Sequence, residues 1–209
     1  MTFSALDSAL TGPLFASEAM RDVFSDRALV ATMIAVEAAL ARAEAKLGLA
    51  PRSLAPAILR IRPEDLDLAA LGARTAAAGV VTIPFVKALE AKLPEKLRGA
   101  PHRGATSQDI LDPSLVLRMR AGLDLVEAEA AAIAAALARL GKAHRRTPMV
   151  GRTYAQHAAP VTFGFVAAIW LAGIADAAAG LAHLRERLLV ASLGGPVGTL
   201  AALGDKAAE

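Results

Sequence analysis

Cysteine is absent from the 209 residues, which excludes disulfides, thiolate nucleophiles and thiolate-bound metals. Aromatic residues are scarce: one Trp, one Tyr and six Phe. Single-strand nucleic-acid binders need stacking platforms, and these are too few. Nor does one sign of charge dominate. Lys and Arg number 23 against 20 Asp and Glu, a net charge of +3, with the signs interleaved. The one basic cluster is Lys142-Ala-His-Arg-Arg146, so no nucleic-acid partner is expected. The four His residues lack metal-ligand spacing, and no metal or other cofactor is expected. There is no G-x-S-x-G elbow. Gly194-Gly-Pro-Val-Gly198 is neither a P-loop nor a dinucleotide fingerprint, and it reads as a plain interhelical turn. The opening Met1-Thr-Phe-Ser-Ala-Leu-Asp7 lacks a basic region leading into an apolar run. No signal peptide is read there, and a cytoplasmic location is expected.

What the chain does have is helical periodicity. Residues 26–47 place Leu29, Met33, Val36, Leu40 and Leu47 at helical spacing, with Gly48 as the stop. Pro51, Pro56 and Pro63 break residues 50–68 into short helices and turns. Residues 67–78 and 83–93 read as two further helices. Asp112-Pro113 reads as the start of a long helix running to Ala143. Thirty residues at about 1.5 Å each make a rod near 45 Å long. A second rod is read from about Pro160 to Val190. Residues 158–175 carry no charge and reach the lower edge of a membrane span. Pro160, Thr162, Gly164 and Gly173 interrupt that run, and Asp176, Arg185, Glu186 and Arg187 continue its helical pattern. A helix buried inside a large bundle is expected instead of a membrane partner. Two such rods leave Leu, Ile, Val, Phe and Trp170 on several faces. A homo-oligomer with a core shared between subunits is therefore expected.

Two polar segments stand against this Ala-rich background: His102-Arg-Gly-Ala-Thr-Ser-Gln-Asp109 and Met149-Val-Gly-Arg-Thr-Tyr-Ala-Gln-His157. Thr106-Ser-Gln-Asp109 fits a capping box, and it equally fits anion capture at a helix start. The two readings are compatible, because a capped turn is a rigid platform. In the second segment Arg152, Thr153, Tyr154, Gln156 and His157 fall within six residues. A guanidinium there offers bidentate recognition of a carboxylate.

Together the segments resemble the fumarase/aspartase superfamily. His102-x-Gly-x-Thr-Ser-x-Asp109 looks like its first signature region, and Gly151-Arg-Thr-x-x-Gln156 looks like its second. Phe24-Ser-Asp-Arg27, Glu37-Ala-Ala-Leu-Ala-Arg-Ala-Glu44, Ile83-Pro-Phe-Val-Lys-Ala-Leu89 and Leu200-Ala-Ala-Leu-Gly204 extend the likeness along the chain. Many lyases of the group have His where Tyr154 stands. An aromatic there, followed by Gln156-His157-Ala158, resembles the cycloisomerase branch, which lactonizes 3-carboxy-cis,cis-muconate.

The resemblance implies an all-α, fumarase/aspartase-like long-helix bundle. Residues 1–105 would form an N-terminal helical domain and 106–209 the first part of the central bundle. It implies a homotetramer whose active sites combine three signature regions from three subunits. The third region, a Gly/Ser-rich loop bearing a catalytic serine, has no match in these residues, so the chain is expected to be the first half of such an enzyme. It also implies a small-molecule tricarboxylate substrate. Implied catalytic residues are His102, His157 and Thr153. Implied substrate-binding residues are Thr106, Ser107, Gln108, Arg152, Tyr154 and Gln156. The rival readings are an adenylosuccinate- or argininosuccinate-type lyase of the same fold, and a catalytically silent helical assembly module.

Overall fold

A computed structural model describes residues 4–6 and 8–208. Met1–Phe3 and Asp7, part of the stretch read as lacking a signal peptide, lie outside the described residues. The chain packs as two compact units: residues 1–121 with 189–209, and residues 122–188.

The first unit is built on α1 (Glu18–Val23) and α2 (Asp26–Lys46). Ser17 and Ser25 cap them, each side chain accepting a backbone N–H, from Met20 and Ala28. At the other end of α2, Gly48 adopts φ +74°. The Leu49 N–H returns to the Glu44 carbonyl at 2.8 Å and the Gly48 N–H to Ala45 at 3.4 Å. That is a Schellman closure, which the left-handed residue makes possible. The buried stripe of α2 is Val30, Met33, Ile34, Glu37, Ala38, Leu40, Ala41 and Glu44.

Against this stripe packs α3 (Leu54–Ile58), while α4 (Leu68–Ala78) packs on α5 (Thr82–Lys92), whose Phe85 and Leu89 join the same core. Asp67 caps α4, and Gly79 closes it at φ +73°. Met33, Leu54, Ile58, Phe85, Leu89 and Ile110 are fully enclosed. Each such side chain contributes about 1.5–3 kcal/mol through burial.

The long helix α6 spans Ser107–Ala143, with Pro113 inside it. Asp112-Pro113 is therefore not its start. Ser107 is the first helical residue, and the Thr106 N–H donates to Asp109 Oδ2 at 2.8 Å. This is the carboxyl half of a capping box, and it fixes the start one and a half turns before the proline. Pro113 has no N–H for the Asp109 carbonyl, so one helical bond is missing there.

In the second unit the chain leaves α6 through a β-hairpin, β1 (Pro148–Thr153) and β2 (Gln156–Thr162), before α7 (Phe163–Leu188). The sequence pattern suggested only a break here. Short polar strands with little apolar alternation carry no periodic signal. α7 is long and apolar enough to cross a membrane by length and composition. It exposes Phe165, Ile169, Trp170 and Leu184. Where α7 begins, a Cβ on Gly164 would lie 2.7–2.8 Å from the Gly141 and His144 carbonyl oxygens and the Arg145 Cα.

Candidate functional site

The first polar segment lies in the first unit, between the α5 region and α6. His102 takes φ +61°, unusual for a side-chain-bearing residue. Its backbone N–H donates to Glu37 Oε2 at 3.1 Å, and its ring Nδ1 lies 2.7 Å from Glu37 Oε1. Glu37 sits on the buried stripe of α2. One turn-pair further, Glu44 is also buried, and neither of its oxygens has a hydrogen-bond partner among the described residues. Burial pushes the Glu44 carboxyl up to about 7; Arg103 opposes this, the nearby Glu37 adds to it, and His102 opposes it. Arg103 is anchored by Nη1 donating to the Leu49 carbonyl at 2.8 Å.

Asp109 holds the turn. Besides the Thr106 N–H, its carboxyl accepts the Gly194 N–H at 2.7 Å and the Gly195 N–H at 2.9 Å. The Gly-Gly segment is thus not a plain interhelical turn. Gly195 at φ +71° presents its N–H to a buried acid that draws the segment onto the start of α6. Only the carboxyl half of the box is made: the Thr106 and Ser107 hydroxyls have no hydrogen-bond partner among the described residues. Gln108 Nε2 instead donates to Asp112 Oδ1 at 3.0 Å.

The second segment lies in the other unit, on the hairpin. Arg152 pairs with His157 and Thr153 with Gln156. Directly opposed residues share a face of a β-ribbon, so Arg152 and His157 stand on one face and Thr153 and Gln156 on the other. Tyr154 (φ +49°) and Ala155 (φ +56°) form the tip. Two successive positive φ values are the mark of a type I′ turn, normally made with Asn-Gly. Tyr154 is 99% exposed, and none of Arg152, Thr153, Tyr154, Gln156 or His157 has a side-chain hydrogen bond among the described residues. A bulge at Val150/Gly151 redirects the ribbon, and a Cβ on Gly151 would strike the Ala159 carbonyl oxygen.

The sequence-predicted residues therefore form two groups, one on each unit: His102, Thr106, Ser107 and Gln108, and Arg152, Thr153, Tyr154, Gln156 and His157. A separate cavity of about 440 Å³ in the first unit is lined by Leu40, Ile110, Val116, Leu117 and Leu193. It is apolar apart from Asp109, Arg120 and Ser192, and contains none of these residues. Among the described residues, no three His, Asp or Glu side chains are placed to hold a metal ion.

Sequence reasoning assigned no role to Glu37, Glu44 or the grip of Asp109. Glu37 and Glu44 could have been found: they stand seven residues apart on a stripe otherwise apolar. A carboxyl on the buried face of a helix needs a partner or a shifted pKa.

Residues 15–208 match the family model described as lyase. The chain belongs to this lyase family. It is 44% identical over 212 residues to 3-carboxy-cis,cis-muconate cycloisomerase of Pseudomonas putida, covering 99% of this chain and 49% of that protein. It is equally 44% identical over 202 residues to nitrosuccinate lyase of Streptomyces davaonensis, covering 95% of this chain and 42% of that protein. The crystal structure of the 3-carboxy-cis,cis-muconate lactonizing enzyme from Pseudomonas putida matches with a TM-score of 0.93 at 44% identity, covering 96% of this chain and 47% of that one. The chain spans about half the length of the curated relatives it matches.

Proposed function

We propose that this chain supplies the first two active-site segments of a cycloisomerase that lactonizes 3-carboxy-cis,cis-muconate to 4-carboxymuconolactone, the reaction of protocatechuate breakdown. The observation that carries the reading is the hairpin tip. Tyr154 stands where many lyases of the superfamily have an acid–base His, flanked by Arg152, Gln156 and His157. The cycloisomerase relative and its lactonizing-enzyme structure support it.

In the reaction, a carboxylate oxygen of the substrate attacks a carbon of its own conjugated diene. A C–O bond forms, and the π pair moves onto a neighbouring carboxylate as an enolate-like state. That carbanion equivalent takes a proton at carbon, which completes the lactone. The protein folds the chain for ring closure and stabilises the extra charge. Orientation contributes several kcal/mol. One well-aimed donor on the developing oxyanion contributes about 3–4 kcal/mol.

The Thr106 and Ser107 hydroxyls, which have no hydrogen-bond partner among the described residues, bind one substrate carboxylate beside the start of α6, with Gln108 at its edge. Arg152 takes the carboxylate on which charge develops, aided by Thr153 and Gln156. His102, His157 and Thr153 are the candidates for proton handling, and Tyr154 shapes the pocket. The segments meet in a homotetramer, with different subunits contributing to each site. The exposed apolar residues of α7 are its subunit contacts. On this reading residues 1–105 form the N-terminal domain, 106–209 belong to the central bundle, and the enzyme works in the cytoplasm on a free tricarboxylate.

The nitrosuccinate lyase relative favours a second reading, β-elimination from a substituted succinate. A substrate panel separates the two. It is run on the chain alone and on the chain extended by the second half of its Pseudomonas putida relative. Loss of diene absorbance from the muconate supports lactonization. Turnover of nitrosuccinate alone supports elimination.

A further inference from the structure

The Glu37 carboxyl reaches the first polar segment from inside the core, and the contact is more than structural support. It makes two bonds to a single residue 65 positions away, one to the His102 backbone N–H at 3.1 Å and one to ring Nδ1 at 2.7 Å. The first bond holds the chain at φ +61°, a conformation costly for a residue with a side chain and maintained only where the surroundings enforce it. The second selects a ring state. A carboxylate oxygen facing Nδ1 calls for a proton on that nitrogen, and in the neutral ring this leaves the lone pair on Nε2. The Glu37 side chain is fully buried while the His102 side chain is partly exposed, so the contact runs from the core to the edge of the first polar segment.

The second buried carboxyl on the stripe does not share this work. Among the described residues Glu44 has no hydrogen-bond partner for either oxygen, and the bonds to His102 come from Glu37. The charged and titratable groups electrostatically coupled in this cluster are Glu37, Glu44, His102 and Arg103, with Arg103 turned to the Leu49 carbonyl.

We infer that Glu37 is a positioning residue that fixes His102 as the Nδ1–H tautomer, leaving Nε2 as a proton acceptor facing the substrate side of the first polar segment. This rests on the reading of His102 as a proton-handling residue, but its test does not. In the 209-residue chain labelled with ¹⁵N-histidine, long-range ¹H–¹⁵N correlation reads the tautomer of each ring. His102→Asn assigns the His102 signals by their disappearance. The expected result is a His102 ring that carries its proton on Nδ1 and none on Nε2, shifting to the Nε2–H form in Glu37→Gln. An Nε2–H ring in the unaltered chain overturns the inference, and this needs no variant to fold. So does an Nδ1–H ring that persists in a folded Glu37→Gln.

Kinetics then separates the two claims. In the extended, active chain, Glu37→Gln is expected to lower kcat about 100-fold while KM moves less than about threefold. If His102→Asn leaves turnover unchanged, the proton-handling role of His102 fails, and the tautomer result stands or falls by itself.

Discussion

At the residue scale, two features store strain or desolvation where an ordinary sequence would not. The first is the hairpin tip. Tyr154 and Ala155 occupy the left-handed region without being glycine, at a cost of about 1–2 kcal/mol each. Ala155→Gly is expected to stabilise the chain by about 0.5–1 kcal/mol, read as a rise in Tm, because it relieves that strain at one position. An unchanged or lower Tm would show that the tip is unstrained. The second is Glu44. Its carboxyl is held at about 7 in the folded chain against an ordinary 4.5, with burial the main cause. A raised acid binds its proton more tightly when folded. The proton-linked stability is therefore present at pH 5 and is lost as pH rises towards 7 and above. The loss is on the order of 2–3 kcal/mol. Glu44→Gln carries no such proton. Its Tm, relative to the unaltered chain, should be more favourable at pH 8 than at pH 5. An equal difference at both pH values would refute the assignment. Neither feature was legible beforehand. The tip depends on a hairpin that periodicity does not signal. The Glu44 carboxyl could be placed on the buried stripe from its spacing, but its lack of a partner depends on how neighbouring elements pack.

At the element scale, helix bounds were legible where caps mark them. Residues 26–47 were read as a helix, and α2 spans Asp26–Lys46, because Ser25 starts it and Gly48 stops it. Likewise Asp67 and Gly79 bracket α4. The reading failed at Pro113, where a proline that usually opens a helix sits inside one. Its true start is set by the Asp109 side chain reaching back to Thr106. The same sequence information cannot rank glycines within α7. Gly164→Ala would push a Cβ into backbone atoms at 2.7–2.8 Å, which cannot yield as a flexible side chain would. It should cost about 1–3 kcal/mol. Gly173 has nothing within 4 Å of the same added carbon. Gly173→Ala should stabilise the helix by about 0.5–1 kcal/mol. Urea denaturation of the two variants checks both, and equal effects would contradict the close approach at Gly164.

At the scale of the whole molecule, the all-α character, the two long helices and the family were legible. Helical spacing and two motifs in order are strong, local signals. The division of the site residues into two groups on separate units was not, since a motif fixes a residue's neighbourhood and not its distant partners. The exposed Phe165, Ile169 and Trp170 of α7 form the apolar face that the proposed assembly covers. A tetramer is expected by light scattering, four times the 21.5 kDa of one chain. Trp170→Asp should shift it to smaller species, and a well-behaved monomer before substitution would remove the shared-site proposal.

In the proposed function, the Arg152 hairpin and the Thr106–Ser107 turn act on 3-carboxy-cis,cis-muconate. The most direct measurement is loss of its diene absorbance with the extended chain, beside Arg152→Ala in the same background. Turnover is expected, lowered by about 10²–10³-fold in kcat/KM by Arg152→Ala. A preparation that is silent on the muconate yet turns over nitrosuccinate, or one whose muconate turnover survives Arg152→Ala intact, would contradict it.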